Sequence, residues 1–183
     1  MYYEYIYIYI YKESILFFYN KCFKSKKEYL ICKIARNHTY YRYLLYKNYC
    51  LLNLYKNKKG FLNKIIYYFK LFKYSKYSSK LNVMINTNVF IKNFWFEHFN
   101  VVINKEAIIG ENLVCIGNNC IGGGKNGAPI IGDNVFVGYG AIIIGKVHIA
   151  SNVKIGAGAI VTKDILEEGC TVIGTNKIIK KLR

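Results

Sequence analysis

The chain of 183 residues has few acids, one proline, and none of the short devices that would assign a chemistry at once. Its six cysteines, Cys22, Cys32, Cys50, Cys115, Cys120 and Cys170, form no CxxC pair, which argues against zinc and disulfides and for small core residues in a reducing cytoplasm; no metal is expected. No run of about eighteen uncharged apolar residues occurs, so a spanning helix is not expected. The first residues lack the basic region and small-residue cleavage site of a secretory leader. Only ten Asp and Glu face 27 Lys and Arg, a formal charge of +17. Such a charge suits nucleic acid or an anionic membrane. Lys, Asn, Ile and Tyr are abundant together, however, and their codons are dominated by A and T. A biased genome would produce most of this charge without a partner, and no nucleic acid is expected. The run Tyr5-Ile6-Tyr7-Ile8-Tyr9-Ile10-Tyr11 could be encoded by a bare TA repeat. It could form an edge strand, but residues 1–12 are expected to be a disordered tail or a misassigned start.

What the chain does have is a six-residue beat. Apolar residues recur at Ile103, Ile109, Ile121, Ile131, Val137, Ile143, Ile149, Ile155 and Val161. Four positions after most of them stand Ala107, Leu113, Val135, Ala141, Val147, Val153, Ala159 and Ile165. A helix repeats its apolar face every three to four residues and a strand every two. A period of six suits short strands joined by tight corners, three sides closing a prism whose turns bury their apolar side only by stacking. One interruption stands out. Ile121 and Ile131 are ten residues apart, and the extra residues fall in Gly122-Gly123-Gly124-Lys125-Asn126-Gly127-Ala128-Pro129. This is a loop thrown out from a corner, where Gly122 and Gly123 could let a phosphate or pantetheine chain approach the backbone. A plain flexible turn has the same composition, and the GxxxxGK[ST] spacing of a Walker loop is absent.

Residues 13–80 read as an α-helical region and 81–183 as the β-solenoid. Phe61, Leu62, Ile65, Ile66, Phe69 and Phe72 form one apolar stripe beside Lys64, Lys70 and Lys73. Packing of that stripe on the solenoid or on a neighbouring subunit is expected in preference to peripheral membrane contact. Gly60 is a plausible break between helices, and Ser75 to Ser79 the expected linker.

From about Val83 to Lys180 the sequence resembles the hexapeptide-repeat acyltransferases, and among them serine acetyltransferase and the capsular or exopolysaccharide sugar O-acetyltransferases. The resemblance is carried by His98-Phe99-Asn100-Val101-Val102-Ile103-Asn104, by Ile121-Gly122-Gly123, by Gly127 to Val135, and by Ile155 to Asp164. It implies a mainly β fold, a left-handed parallel β-helix behind a small helical region. It also implies a cytoplasmic homotrimer that binds acetyl-CoA between adjacent prisms. The activity implied is transfer of acetyl from acetyl-CoA to a hydroxyl of a small acceptor, serine or a sugar.

By the same resemblance His98 is the general base and Glu97 belongs to the acceptor site. An imidazole suits the task because it takes and releases a proton near neutrality. Ala157, Thr162 and Lys163 would line the CoA groove with Tyr139 one coil away, and Lys163 and Lys177 would face its phosphates. His38 and His148 lie outside the motif and are expected to serve packing or surface. The chain departs from the pattern in several places. Val83 stands where many relatives carry an acid that orients the histidine, and Ile116 where sugar-modifying relatives carry a second histidine. Gly127-Ala128 replaces an Arg-His pair, and Gly174-Thr175-Asn176-Lys177 replaces Gly-x-Pro-Ala-Lys. These departures keep open an alternative, a non-enzymatic trimeric scaffold that has lost turnover.

Overall fold

A computed structural model describes residues 2–179, with side chains described from Lys12 onward. The chain divides into two compact units, residues 1–81 and 82–183.

The first unit holds four helices, α1 (Tyr2–Cys22), α2 (Lys26–Ile34), α3 (His38–Lys56) and α4 (Phe61–Leu81). Local chemistry sets their ends. Ser25 caps α2 by accepting from the Glu28 N–H, while the Glu28 carboxylate reaches back to the Lys24 N–H, a variant of the capping box. Asn37 caps α3 by accepting from the Tyr40 N–H at 3.0 Å. Gly60, at φ +102°, makes the corner before α4. Helix α3 packs against the other three, and its Leu45, Tyr46, Tyr49, Cys50 and Leu52 are buried. The core is aromatic: Phe18 stacks on Tyr46 with ring centroids 4.3 Å apart, and Tyr19, Phe23, Tyr29 and Tyr43 meet mostly edge to face.

Of three expectations placed on the helical unit, one needs correcting. The expected tail lies within α1, which begins at Tyr2, although side chains before Lys12 are outside those described. The expected serine linker is helical, because Tyr74, Tyr77 and Leu81 continue the inward face of α4 while Ser75 and Ser79 stay exposed. The chain leaves the helix only at Asn82, at φ +48°. The apolar stripe of α4 lies outside the core of the helical unit itself. Phe61, Leu62, Ile65, Phe69 and Phe72 are all at least half exposed, because the helix turns a second apolar face, with Ile66, Tyr67 and Tyr74, inward. Among the described residues no helix is long and apolar enough to cross a membrane.

The second unit is a parallel β-helix of three sheets. The first stacks β1 (Val83–Ile85), β3 (Val101–Ile103), β6 (Asn119–Gly122), β9 (Ile142–Ile144) and β12 (Ile160–Val161). The second stacks β2 (Trp95–Phe96), β5 (Val114–Cys115), β8 (Phe136–Val137), β11 (Lys154–Ile155) and β13 (Thr171–Ile173), closed by the antiparallel β14 (Lys177–Ile179). The third stacks β4 (Ile108–Ile109), β7 (Ile130–Ile131) and β10 (His148–Ile149). Neighbouring strands pair in register, as Val83 with Val101 with Asn119, one coil being three hexads. Every apolar residue of the two hexad series is buried, none more than 8 % exposed. Cys115 fills one of these positions completely, and all six cysteines are free thiols.

Two corners of the prism carry ladders of asparagine. At one, Asn82 donates to Asn100, Asn100 to Asn118, and Asn118 to the Tyr139 hydroxyl. At another, Asn112 donates to Asn134, Asn134 to Asn152, and Asn152 to Glu168. Each of these asparagines has φ between +48° and +62°, a left-handed corner that asparagine tolerates better than other side chains. The residue that turns the chain thus also ties one coil to the next.

Candidate active site

The candidate base leaves β2 at a corner. Glu97 and His98 continue the ladder beyond the strand, their N–H groups donating to the carbonyls of Cys115 and Ile116. Extending the β5–β8–β11 register by two residues stacks His98, Gly117, Tyr139 and Ala157 as one column up that corner. Gly117 is what lets the column form. Its φ is +133°, and a Cβ placed on it would lie 2.7 Å from the His98 Cβ. With no side chain there, the rings of His98 and Tyr139 approach across it, centroids 6.4 Å apart at 78°.

Below the corner sits Asn119, 2 % exposed. Its Oδ1 accepts from the Gly117 N–H at 2.8 Å, and its Nδ2 donates to the carbonyls of Gly138 and Ala141. A buried amide satisfied in this way fixes the backbone on both sides of the column. Neither Asn119 nor Gly117 is singled out by the sequence reading. The available signal was a polar residue at a β6 position whose neighbours alternate into the core.

The carboxylate of Glu97 accepts the indole N–H of Trp95, so it lies back along its own strand. Among the described residues no hydrogen bond reaches the ring nitrogens of His98. Val83, the position expected to bear an orienting acid, is 2 % exposed and paired with Val101, so an acid there would be buried in the prism. It is instead His148 that has a nearby carboxylate: its N–H donates to Asp164, whose Oδ1 is 3.8 Å from Nδ1. Both members of that pair are about half exposed. Cys115 is no rival nucleophile, since complete burial pushes its thiol far above the usual range.

The expected cofactor residues fall into three places. Ala157 is exposed on the His98 column, and beside it Gly158 opens on free space. Gly122 and Gly123 lie at the end of β6, where Gly123 packs against the Asn104 amide and the loop closes through Gly124 and Gly127. Thr162, Lys163 and Lys177 are exposed at the last coil. There Asn176 accepts from both the Thr162 and Lys163 N–H groups and donates to the Thr162 hydroxyl. Those polar groups are therefore engaged within the chain. The two lysine side chains have no carboxylate partner among the described residues and remain able to hold an anion.

Residues 128–163 match the family described as bacterial transferase hexapeptide (six repeats). The serine acetyltransferase of Buchnera aphidicola subsp. Schizaphis graminum is 38% identical over 94 residues, 48% of this chain and 36% of that protein. That of Synechococcus elongatus is 40% identical over 78 residues, 40% of this chain and 32% of that protein. The chain thus spans about a third of the length of the curated relatives it matches. Among solved structures, the serine acetyltransferase of Neisseria gonorrhoeae superposes with a TM-score of 0.68 over 97% of this chain and 68% of that one, at 24% identity. At that identity the likeness speaks for the fold, a helical region followed by a parallel β-helix, and the expected architecture is the observed one.

Proposed function

We propose that this chain, whose residues 128–163 are bacterial transferase hexapeptide repeats, is an acetyl-CoA-dependent O-acetyltransferase with serine as acceptor and His98 as general base. One observation carries the reading: the histidine of the recognised motif stands on an open corner, held over Gly117 by the Asn119 network, on one column with the exposed Ala157. Both curated relatives are named serine acetyltransferases, which favours serine over a sugar hydroxyl. Serine acetyltransferases of this fold have been solved with CoA and with serine.

In this reading neutral His98 removes the acceptor hydroxyl proton as the oxygen attacks the thioester carbonyl. The new C–O bond forms, the C–S bond breaks, and the CoA thiolate leaves with the proton returned by the imidazolium. By the resemblance Glu97 belongs to the acceptor site, its carboxylate braced there by the Trp95 indole N–H. Gly122, Gly123, Tyr139, Ala157 and Thr162 shape the CoA groove, Lys163 and Lys177 face its phosphates, and a trimer in the cytoplasm completes the groove between prisms. The free thiols fit that compartment.

A second reading, the scaffold without turnover, is favoured by the Asn176 side chain, which occupies the Thr162 and Lys163 N–H groups. Release of CoA from acetyl-CoA, measured with serine and with nucleotide sugars for the native chain and His98→Ala, separates the two. The expected result is serine-dependent release that falls at least about 100-fold in the variant while CoA binding persists. Release unchanged by the substitution would remove His98 from the chemistry. A folded protein that neither binds CoA nor releases it would support the scaffold.

A further inference from the structure

The helical unit contains a cleft that the acetyl-transfer reading does not use. It has a volume of about 500 Å³, within the range of small-molecule sites. Four cations ring it: Lys33 in the last turn of α2, Arg36 in the following turn, and Lys76 and Lys80 on the last turns of α4. Tyr40 and Tyr41, from the first turn of α3, and Tyr77 line its wall. No acid is among its lining residues, and none of the four cations has a carboxylate within ion-pair distance among the described residues. The imbalance extends along the sequence. Residues 29–96 contain 13 Lys and Arg and not one Asp or Glu.

We propose that this cleft binds a nucleoside polyphosphate, with its phosphates on Lys33, Arg36, Lys76 and Lys80 and its base against the tyrosines. Four like charges gathered without a counter-charge repel one another, and a polyanion converts that repulsion into attraction. The placement is built rather than scattered. Arg36 is held at φ +48° by the turn between α2 and α3, and Lys80 Nζ lies 3.8 Å from the centroid of the Tyr41 ring. The guanidinium offers a planar fork to phosphate oxygens. The Tyr41 and Tyr77 rings lie 6.1 Å apart and within 33° of parallel, flat surfaces on which a base can stack. Burial pushes the Tyr40 and Tyr77 phenols up, so both remain hydrogen-bond donors at neutral pH.

Calorimetric titration of the full chain with ATP at physiological salt tests this, in a Lys163→Ala/Lys177→Ala background that removes the two cations proposed to face phosphates on the solenoid. The expected result is saturable binding that weakens at least tenfold in Lys76→Glu/Lys80→Glu. Lys59→Glu/Lys64→Glu, the same change of charge at exposed positions outside the cleft, should leave binding within twofold. Equal weakening by both pairs would reduce the binding to general electrostatics and overturn the site, as would no binding at all. Inorganic triphosphate should bind at least tenfold more weakly than ATP. Parity between the two would overturn the nucleotide assignment. Tyr41→Leu keeps every charge and provides a second route if the reversed pair fails to fold: it should weaken ATP and spare triphosphate, and an unchanged ATP affinity would count against the proposal.

Discussion

The two halves of this molecule are built on opposite rules. In the β-helix an interior position accepts a small aliphatic residue every few positions, and the backbone ladder does the aligning. In the helical unit the interior is held by large aromatic rings, and no repeat tells one position from another. Charge divides in the same way. Residues 1–81 carry 17 Lys and Arg against three Asp and Glu, a net +14, while residues 82–183 carry ten against seven, a net +3. A codon bias acts on the whole gene. It therefore accounts for abundant lysine and leaves unexplained why the solenoid keeps its acids and the helices do not. The difference shows where a selected role for charge is to be sought, and it is not on the prism.

The sharpest way to break the comparison is to reverse inside and outside on one strand. Val137 of β8 is fully buried between Cys115 and Ile155, and its neighbour Phe136 is 37 % exposed. Val137→Asp buries an unpaired charge and should cost more than about 4 kcal/mol, abolishing the β-sheet circular dichroism. Phe136→Asp should leave a folded protein with a melting temperature within a few degrees of native. Similar losses in both variants would refute the register.

The helical unit offers the same contrast without a period to announce it. Tyr46 is fully buried against Phe18, whereas Phe69 is 52 % exposed. Tyr46→Ala should cost about 3–5 kcal/mol in urea unfolding followed by helix signal, and Phe69→Ala less than about 0.5 kcal/mol. A large cost at Phe69 would mean that the α4 stripe is covered in solution.

These two tests also mark what was legible in the sequence. The six-residue beat identified the buried side of the prism through to Ile165, because stacking turns a local pattern into a global one. The inserted loop at Gly122 was visible as a break in that beat. The asparagine ladders were not, although Asn82, Asn100 and Asn118 recur at one-coil spacing. Their hydrogen bonds join residues far apart in sequence, and asparagine was already abundant enough to be read as background. The end of α4 was misread for a related reason. Serines signal a linker only where nothing beside them is buried, and Tyr74 and Leu81 are. Of the candidate site, the His98 motif could be read directly. Gly117 and Asn119 acquire meaning only once three coils are stacked.

The smallest expected effect uses pH to separate the two interiors. Tyr43 of α3 is 7 % exposed, and burial, with the phenols of Tyr29 and Tyr19 beside it, pushes its pKa up to about 12. The unfolded phenol titrates near 10. A folded value raised above the unfolded one contributes stability that is complete below pH 10 and is lost as pH rises toward 12. Between pH 9 and pH 11 the helical unit should therefore lose about 1 kcal/mol through this group. Urea unfolding followed at the helix signal should show that loss in the native chain, and Tyr43→Phe should retain the corresponding share at pH 11. An equal alkaline loss in both proteins would place the sensitivity elsewhere, and Cys50, whose thiol burial pushes up to about 12, would be the next group to replace. A tyrosine-rich interior is thus tied to pH in a way that the aliphatic column Val137–Ile155–Val172 is not, since those side chains have no proton to lose.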